Sequence, residues 1–294
     1  MMKMFKVKFK SIVQSFFIGT ALLLFFASFY NQPIVKPKEV LYKMFASIEH
    51  INTLTFKLKK KERVDGKLML GEQDVKFTRQ PKKIYTKILA PNSGVELLYI
   101  EGKNDNKAYL NPNGFPYTNL SFSPYSSTLR KGNHHTIHEV GFDYIKAIIE
   151  NIAIKSDKNF DQVFVLEGKV MFDNKWCYKI NIDNNTYRQE NYMVKKGETL
   201  TSIAYKLLLS DYKLLLMNPS IKDYDDVEEG QEIKITTSYA PKTTLYIDAI
   251  NFLPIVQIIS DEKGIFEQYE FHNLKLDPFI HPDEFTKDYD GYHF

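Results

Sequence analysis

Three imidazoles fall within five residues in "GNHHTIHEVGF", at His134, His135 and His138. Neutral imidazole is a common zinc ligand, so this cluster first raises metal-assisted chemistry. On a helix His135 and His138 would share a face, with His134 one turn before His138. The zinc-protease pattern His-Glu-x-x-His is missing, because Val140, Gly141 and Phe142 follow His138 and Glu139. The alternative is a loop whose imidazoles bond to backbone and cap the helix after it. The sequence favours that loop, so the three histidines stand as weak metal candidates and no cofactor is called for.

Other reactive residue types offer less. Cys177 is the single cysteine, so no intramolecular disulfide forms. Beside Trp176, in an alternating stretch, it reads as a buried strand residue. "DYDDVEE" is acidic but lacks EF-hand spacing and reads as a solvated loop. No Walker loop, dinucleotide fingerprint or Gly-x-Ser-x-Gly elbow occurs. The carboxylates are scattered, so no acid/base pair and no catalytic residue can be assigned. Net charge is only +3, and "KLKKKER" reads as the exposed face of a strand. Nothing in the body of the chain asks for nucleic acid.

The elements that would position these residues are mostly strands. "LTFKLKKKERV" and "KLMLGEQDVKFTRQ" meet at Asp65-Gly66, a strong hairpin signal. "KIYTKILA", "GVELLYIEG" and "NKAYLNP" continue the meander. A long irregular connection, rich in Pro and Gly, carries the histidines. Two helices are expected. Glu39–Ile51 has a one-sided apolar face of Val40, Leu41, Met44, Phe45 and Ile48, and "GFDYIKAIIENIA" is the second. "VFVLEGKVMFDNKWCYKINI" returns to strands, with turns expected at Glu167-Gly168 and Asp173-Asn174. A last meander, "TTLYIDAINFLPIVQIISDEKGIFEQYEFHNLKLDP", turns at "DEKG".

Residues 192–235 interrupt this pattern. "YMVKKG" reads as a short strand, and "TLTSIAYKL" as a helix with Thr199 as N-cap. "SDYKLLLMN" is a second helix, capped by Ser210 or Asp211, and "GQEIKI" is a closing strand. This β-α-α-β unit resembles a LysM domain. The resemblance rests on Tyr192, Val194, Gly197, Glu198, Thr199, Leu200, Ser202, Ile203 and Ala204, then on Asn218, Pro219, Ile221, Gly230, Gln231 and Ile233. It implies binding of N-acetylglucosamine polymers, chiefly peptidoglycan. The implied groove lies between Gly197, Glu198, Thr199 and Leu200 on one side and Asn218, Pro219, Ser220 and Ile221 on the other. Leu200 and Ile221 would touch sugar faces, and backbone groups would bond the N-acetyl groups.

Removing the insert joins "KWCYKINID" to "TTLYID" as one meander, so the unit sits in a hairpin loop of a host domain. The host resembles the LolA/LolB type of lipoprotein carrier in its order of helix, long antiparallel strands and helix. It is closer to an uncharacterised bacterial family carrying "FPY" and "HHTIHEVGFDYI". The carrier resemblance implies a curved, incomplete antiparallel barrel with a covering helix, whose concave face takes acyl chains.

Lys3, Lys6, Lys8 and Lys10 precede a charge-free run from Ile12 to Tyr30, a signal peptide or an uncleaved membrane anchor. The expected organisation is then an export segment at 1–30, a discontinuous β-domain at 39–190 and 239–294, and the LysM-like unit at 192–235. The fold class is α+β, mainly antiparallel β plus a small βααβ domain. The expected function is non-enzymatic: an exported envelope or periplasmic protein that binds peptidoglycan and also a lipid or lipoprotein. The alternatives are an envelope hydrolase, metal-dependent through the histidines, and a purely structural envelope component.

Overall fold

The structure, a computed structural model, describes residues 35–294. The export segment expected at 1–30 lies outside the described residues. Among the described residues no helix is long and apolar enough to cross a membrane.

Helix α1 (Pro37–Glu49) buries the five apolar residues read from its sequence. Six strands follow: β1 (Thr53–Val64), β2 (Lys67–Thr78), β3 (Lys83–Ala90), β4 (Glu96–Ile100), β5 (Ala108–Asn111) and β6 (Leu120–Phe122). The β1–β2 turn is Asp65-Gly66, both with positive φ, as a tight hairpin with right-handed strand twist demands. Residues 123–142 form the long connection and hold only short helical turns. Helix α2 (Asp143–Lys155) then buries Ile145, Ile148, Ile149 and Ile152.

Strands β7 (Phe164–Phe172) and β8 (Lys175–Asp183) turn at Asp173-Asn174. The turn expected at Glu167-Gly168 is instead a bulge. Strand β7 runs through it, and the pairing register slips between Leu166 and Gly168, where Gly168 has φ 120°. A glycine inside a strand pattern absorbs the extra residue that a bulge inserts. Strand β9 (Gln189–Met193) pairs with β10 (Glu232–Thr236) around helices α3 (Leu200–Leu207) and α4 (Asp211–Met217). Strands β11 (Lys242–Asp248), β12 (Pro254–Asp261) and β13 (Gly264–Leu276) complete the fold.

Eleven strands form one antiparallel sheet in the order β6-β5-β4-β3-β2-β1-β13-β12-β11-β8-β7, with β6 and β7 left as free edges. The α+β class with an unclosed sheet is therefore observed. Strand β8 pairs with β11 from Asp183↔Lys242 onward, so the small two-stranded unit leaves and re-enters the sheet at neighbouring positions. One face of the sheet carries a cavity reached by side chains from β4, β3, β2, β1, β13 and β12. Six strands side by side would span roughly 24 Å if flat. A small cavity reached by all six requires the sheet to curve around it. The opposite face of β3 and β4 is covered by the C-terminal residues, where Tyr292 stacks on Tyr85 at 3.8 Å and Phe285 joins Tyr85 and Leu98.

Candidate functional site

The inward face of β1 changes character along its length. Phe56 and Leu58 are followed by Lys60 and Glu62, all lining the cavity. The β1–β13 register sets Leu58 opposite Phe271, Lys60 opposite Tyr269, and Glu62 opposite Glu267. One end of the cavity is thus apolar, closed by Ile145 and Ile148 of α2, and the other carries charge. This corrects the reading of "KLKKKER" as a solvated face. Lys57 does ion-pair at the surface with Glu72 and Asp74, but Glu62 is 1% exposed and Lys60 reaches in to it at 2.6 Å.

Two carboxylates facing each other across a strand pair repel unless cations intervene. Lys60 of β1 supplies one beside Glu62, and His135 of the histidine-bearing connection supplies another beside Glu267. His134 Nδ1 lies 2.9 Å from Glu267, its Nε2 lies 3.1 Å from the Arg63 carbonyl, and its backbone N–H donates to Glu62. His135 Nδ1 lies 2.7 Å from Glu139, and its Nε2 lies 3.4 Å from Glu267. Tyr239 donates to Glu267 at 2.8 Å, and Tyr269 donates to Glu62 at 2.6 Å. Burial works against charge on His135, but the Glu267 and Glu139 carboxylates outweigh it and hold the imidazole protonated well above its ordinary range. Burial likewise works against ionised Glu267, yet His135 and His134 hold it well below the usual carboxylate range. Burial, then Glu267, pushes the Tyr239 and Tyr269 phenols far up, so both remain neutral donors.

His138 does not join this set. Its ring sits between Tyr99 and Tyr125, and its carbonyl accepts from Lys82. The three histidines therefore split between a buried ion-pair network and an aromatic stack. Among the described residues no group of three or more His, Cys, Asp or Glu is arranged to hold a metal. Nothing in the sequence near the histidines marks their carboxylate partners Glu62 and Glu267. Glu267 lies 133 positions from His134, and no local spacing signals that pairing.

The cavity itself measures about 160 Å³. That matches the size of an engineered apolar cavity that takes benzene, and is below the several hundred Å³ usual for ligand pockets. Thr86, 3% exposed, is one of the residues lining this space, and its buried hydroxyl makes no hydrogen bond within the protein.

The second candidate site is on the β9–β10 unit. Its hydrophobic core includes Val194, Leu200, Ile203, Leu214, Ile221 and Ile233. Thr199 caps α3 in a capping box with Ser202, and Ser210 caps α4. Glu198 is held by Tyr192, the Lys195 N–H and Lys206. Asn218 spends its side chain on the Leu214 and Lys234 carbonyls and the Lys234 N–H, tying α4 to β10. Leu200 is fully buried and Ile221 nearly so, so their side chains build the core and only their backbones can border a groove. Gly197, Pro219 and Ser220 are exposed. Among the described residues, none of the eight groove candidates makes a hydrogen bond or ion pair to the large sheet domain.

The contacts to that domain come from the other side of the unit. Arg130 reaches Thr201 at 2.8 Å and Asp211 at 2.7 Å, with its guanidinium 3.2 Å from the Tyr224 ring centre. Lys213 bridges Asp261 and Glu262, Tyr212 stacks on His134 at 4.3 Å, and Tyr144 donates to the Leu209 carbonyl.

Comparison with known proteins follows these two regions. The family described as "Protein of unknown function (DUF1571)" matches residues 51–209, more than half of the chain. The LysM domain family matches residues 192–236, so the β9–β10 unit is a LysM domain. An endolysin of Bacillus phage B103 is 38% identical over 61 residues, which are 21% of this chain and 23% of that protein. The chain thus spans about a quarter of that relative. Among solved structures, MucB is similar over 85% of this chain and 62% of its own, with 9% identity and a TM-score of 0.43. A LolA superfamily protein from Nitrosomonas europaea is similar over 87% of this chain and 99% of its own, with 12% identity and a TM-score of 0.36.

Proposed function

The chain belongs to the DUF1571 family, and from that premise we propose that it is a cell-envelope protein that binds peptidoglycan through its LysM domain. One observation carries this reading. The LysM domain docks on the sheet through Thr201, Asp211, Tyr212 and Lys213, leaving the loops at Gly197–Thr199 and Pro219–Ser220 free toward solvent. A module kept only for packing has no reason to spare those loops. In this reading the exposed backbone at Gly197, Pro219 and Ser220 bonds the N-acetyl groups, with the part-exposed Glu198 and Thr199 beside it and the buried Asn218, Leu200 and Ile221 shaping the groove from beneath. The basic, then apolar, first thirty residues export the chain or anchor it.

We read the sheet domain as adding a binding rather than a catalytic function, because among the described residues the charged groups lining the cavity, Lys60 with Glu62 and His135 with Glu139 and Glu267, are paired with one another. The apolar end of the cavity favours an acyl chain or a similar ligand of a lipid or lipoprotein. At about 160 Å³ the cavity holds a fragment of benzene size, so a longer acyl chain requires it to widen.

The deciding experiment is sedimentation of residues 33–294 with insoluble peptidoglycan, beside a variant lacking 192–235. Binding by the first and not the second is expected. Equal sedimentation of both, or of neither, would remove wall binding from the LysM domain.

A further inference from the structure

The connection from Ser123 to Phe142 lies between two partners. Its inner side, through Leu129, His135, Thr136, Ile137 and Val140, closes the cavity. Its outer side is covered by the LysM domain, through Arg130 on Thr201, Asp211 and Tyr224, His134 on Tyr212, and Thr136 beside Tyr205 at 3.4 Å. Gly132 and Gly141, both with positive φ, bracket the part that carries the histidines.

The ion pairs that hold this segment to the sheet depend on being dry. Charges a few ångströms apart interact several times more strongly in a protein interior than in water. Exposed pairs add little stability. His134 and Glu267 are sealed on the sheet side by Phe266 and Tyr269 and on the other by Tyr212 of the LysM domain. Lifting the LysM domain would expose the network to water and weaken the same bonds that keep the segment down.

We propose that residues 123–142 are a lid over the sheet cavity and that the docked LysM domain is its latch, with Arg130 as the main pin. The latch acts by direct contact and by excluding water from the His134 and Glu267 pair. The proposal stands whether or not the cavity takes a lipid, and its test separates the two.

Thr86→Cys places a thiol on the cavity wall. The native Cys177, fully buried in β8 and away from the cavity lining, serves as the internal reference. Both thiols are followed by mass spectrometry during reaction with a small maleimide, in the otherwise full chain. In the Thr86→Cys protein both should react slowly. Adding Arg130→Ala leaves Asp211 buried without its cation, and Cys at 86 should then react on the order of a hundredfold faster while Cys177 does not. Adding Lys213→Met instead, which loosens the LysM domain without touching the lid, should give a smaller acceleration of the same kind. The lid is refuted if the cavity thiol keeps its rate in both variants, or if the two thiols accelerate together, which is global unfolding. A fluorescent naphthylamine is added in parallel. If the thiol opens but the dye is not taken up, the latch holds and the lipid reading of the cavity falls.

Discussion

The two interiors of this chain are built on opposite plans. The LysM domain closes an apolar core with residues within about forty positions of one another, and its two helices are capped by their own neighbours, Thr199 and Ser210. The sheet domain leaves a cavity at its centre and closes one end with an ionised network drawn from β1, β13 and the lid. Local packing makes the first a unit that can be moved between proteins. Long-range pairing makes the second specific to one arrangement, and dependent on the first for its dryness.

The contrast is most exposed to Glu267→Leu. The change leaves His134 and Tyr239 without their buried acceptor and should cost about 3–5 kcal/mol, read as a lower urea midpoint. A loss below roughly 1 kcal/mol would mean that the network is ornamental to stability. Leu200→Ala tests the other interior and should cost about 3 kcal/mol. Here hydrogen exchange is the better probe. Amides of 192–236 should exchange faster while those of β1 and β13 keep their protection, because the LysM core shares no buried side chain with the cavity. Uniform acceleration would show one cooperative unit.

The pH dependence sharpens the comparison further. His135 has a raised folded pKa, so its contribution is complete below the ordinary histidine value of about 6.5 and is lost as pH rises through the raised value. Glu267 has a depressed one, so its contribution is present above about 4.3 and is lost as pH falls through the depressed value. The joint contribution of these two groups should therefore be complete between those limits and decline on either side of them. His135→Gln should flatten the alkaline decline, and an unchanged slope would assign it to another group. The smallest effect is expected from Thr199→Ala, about 1 kcal/mol from the lost cap and confined to the LysM domain.

How much could be read beforehand follows the same division. The LysM domain was legible because its signals are local: a cap before an apolar face, Asn-Pro after the second helix, Gly-Gln before the last strand. The hairpin at Asp65-Gly66 and both long helices were legible for the same reason. The inward-facing Lys60 and the buried Glu62 were not, since five successive charged residues from Lys59 to Arg63 show no alternation to mark which face is inside. The pairing of His134 and His135 with Glu267 depends on a register set across the whole sheet. The resemblance puts Leu200 and Ile221 against the sugar, but both side chains are drawn into the core of so small a unit.

The neck of the LysM domain governs how a pull on it would be borne. Its two strands of chain are stitched together by Asn184 with Ser238 and the Pro241 carbonyl, and by the Thr237 N–H with the Arg188 carbonyl, before entering β8 and β11. Because β8 and β11 are paired neighbours entered from the same end, tension arriving through the neck is divided between them and draws both in one direction. Their mutual register is not sheared. The load passes instead as shear into β7 and β12 on either side, spread along many backbone hydrogen bonds at once.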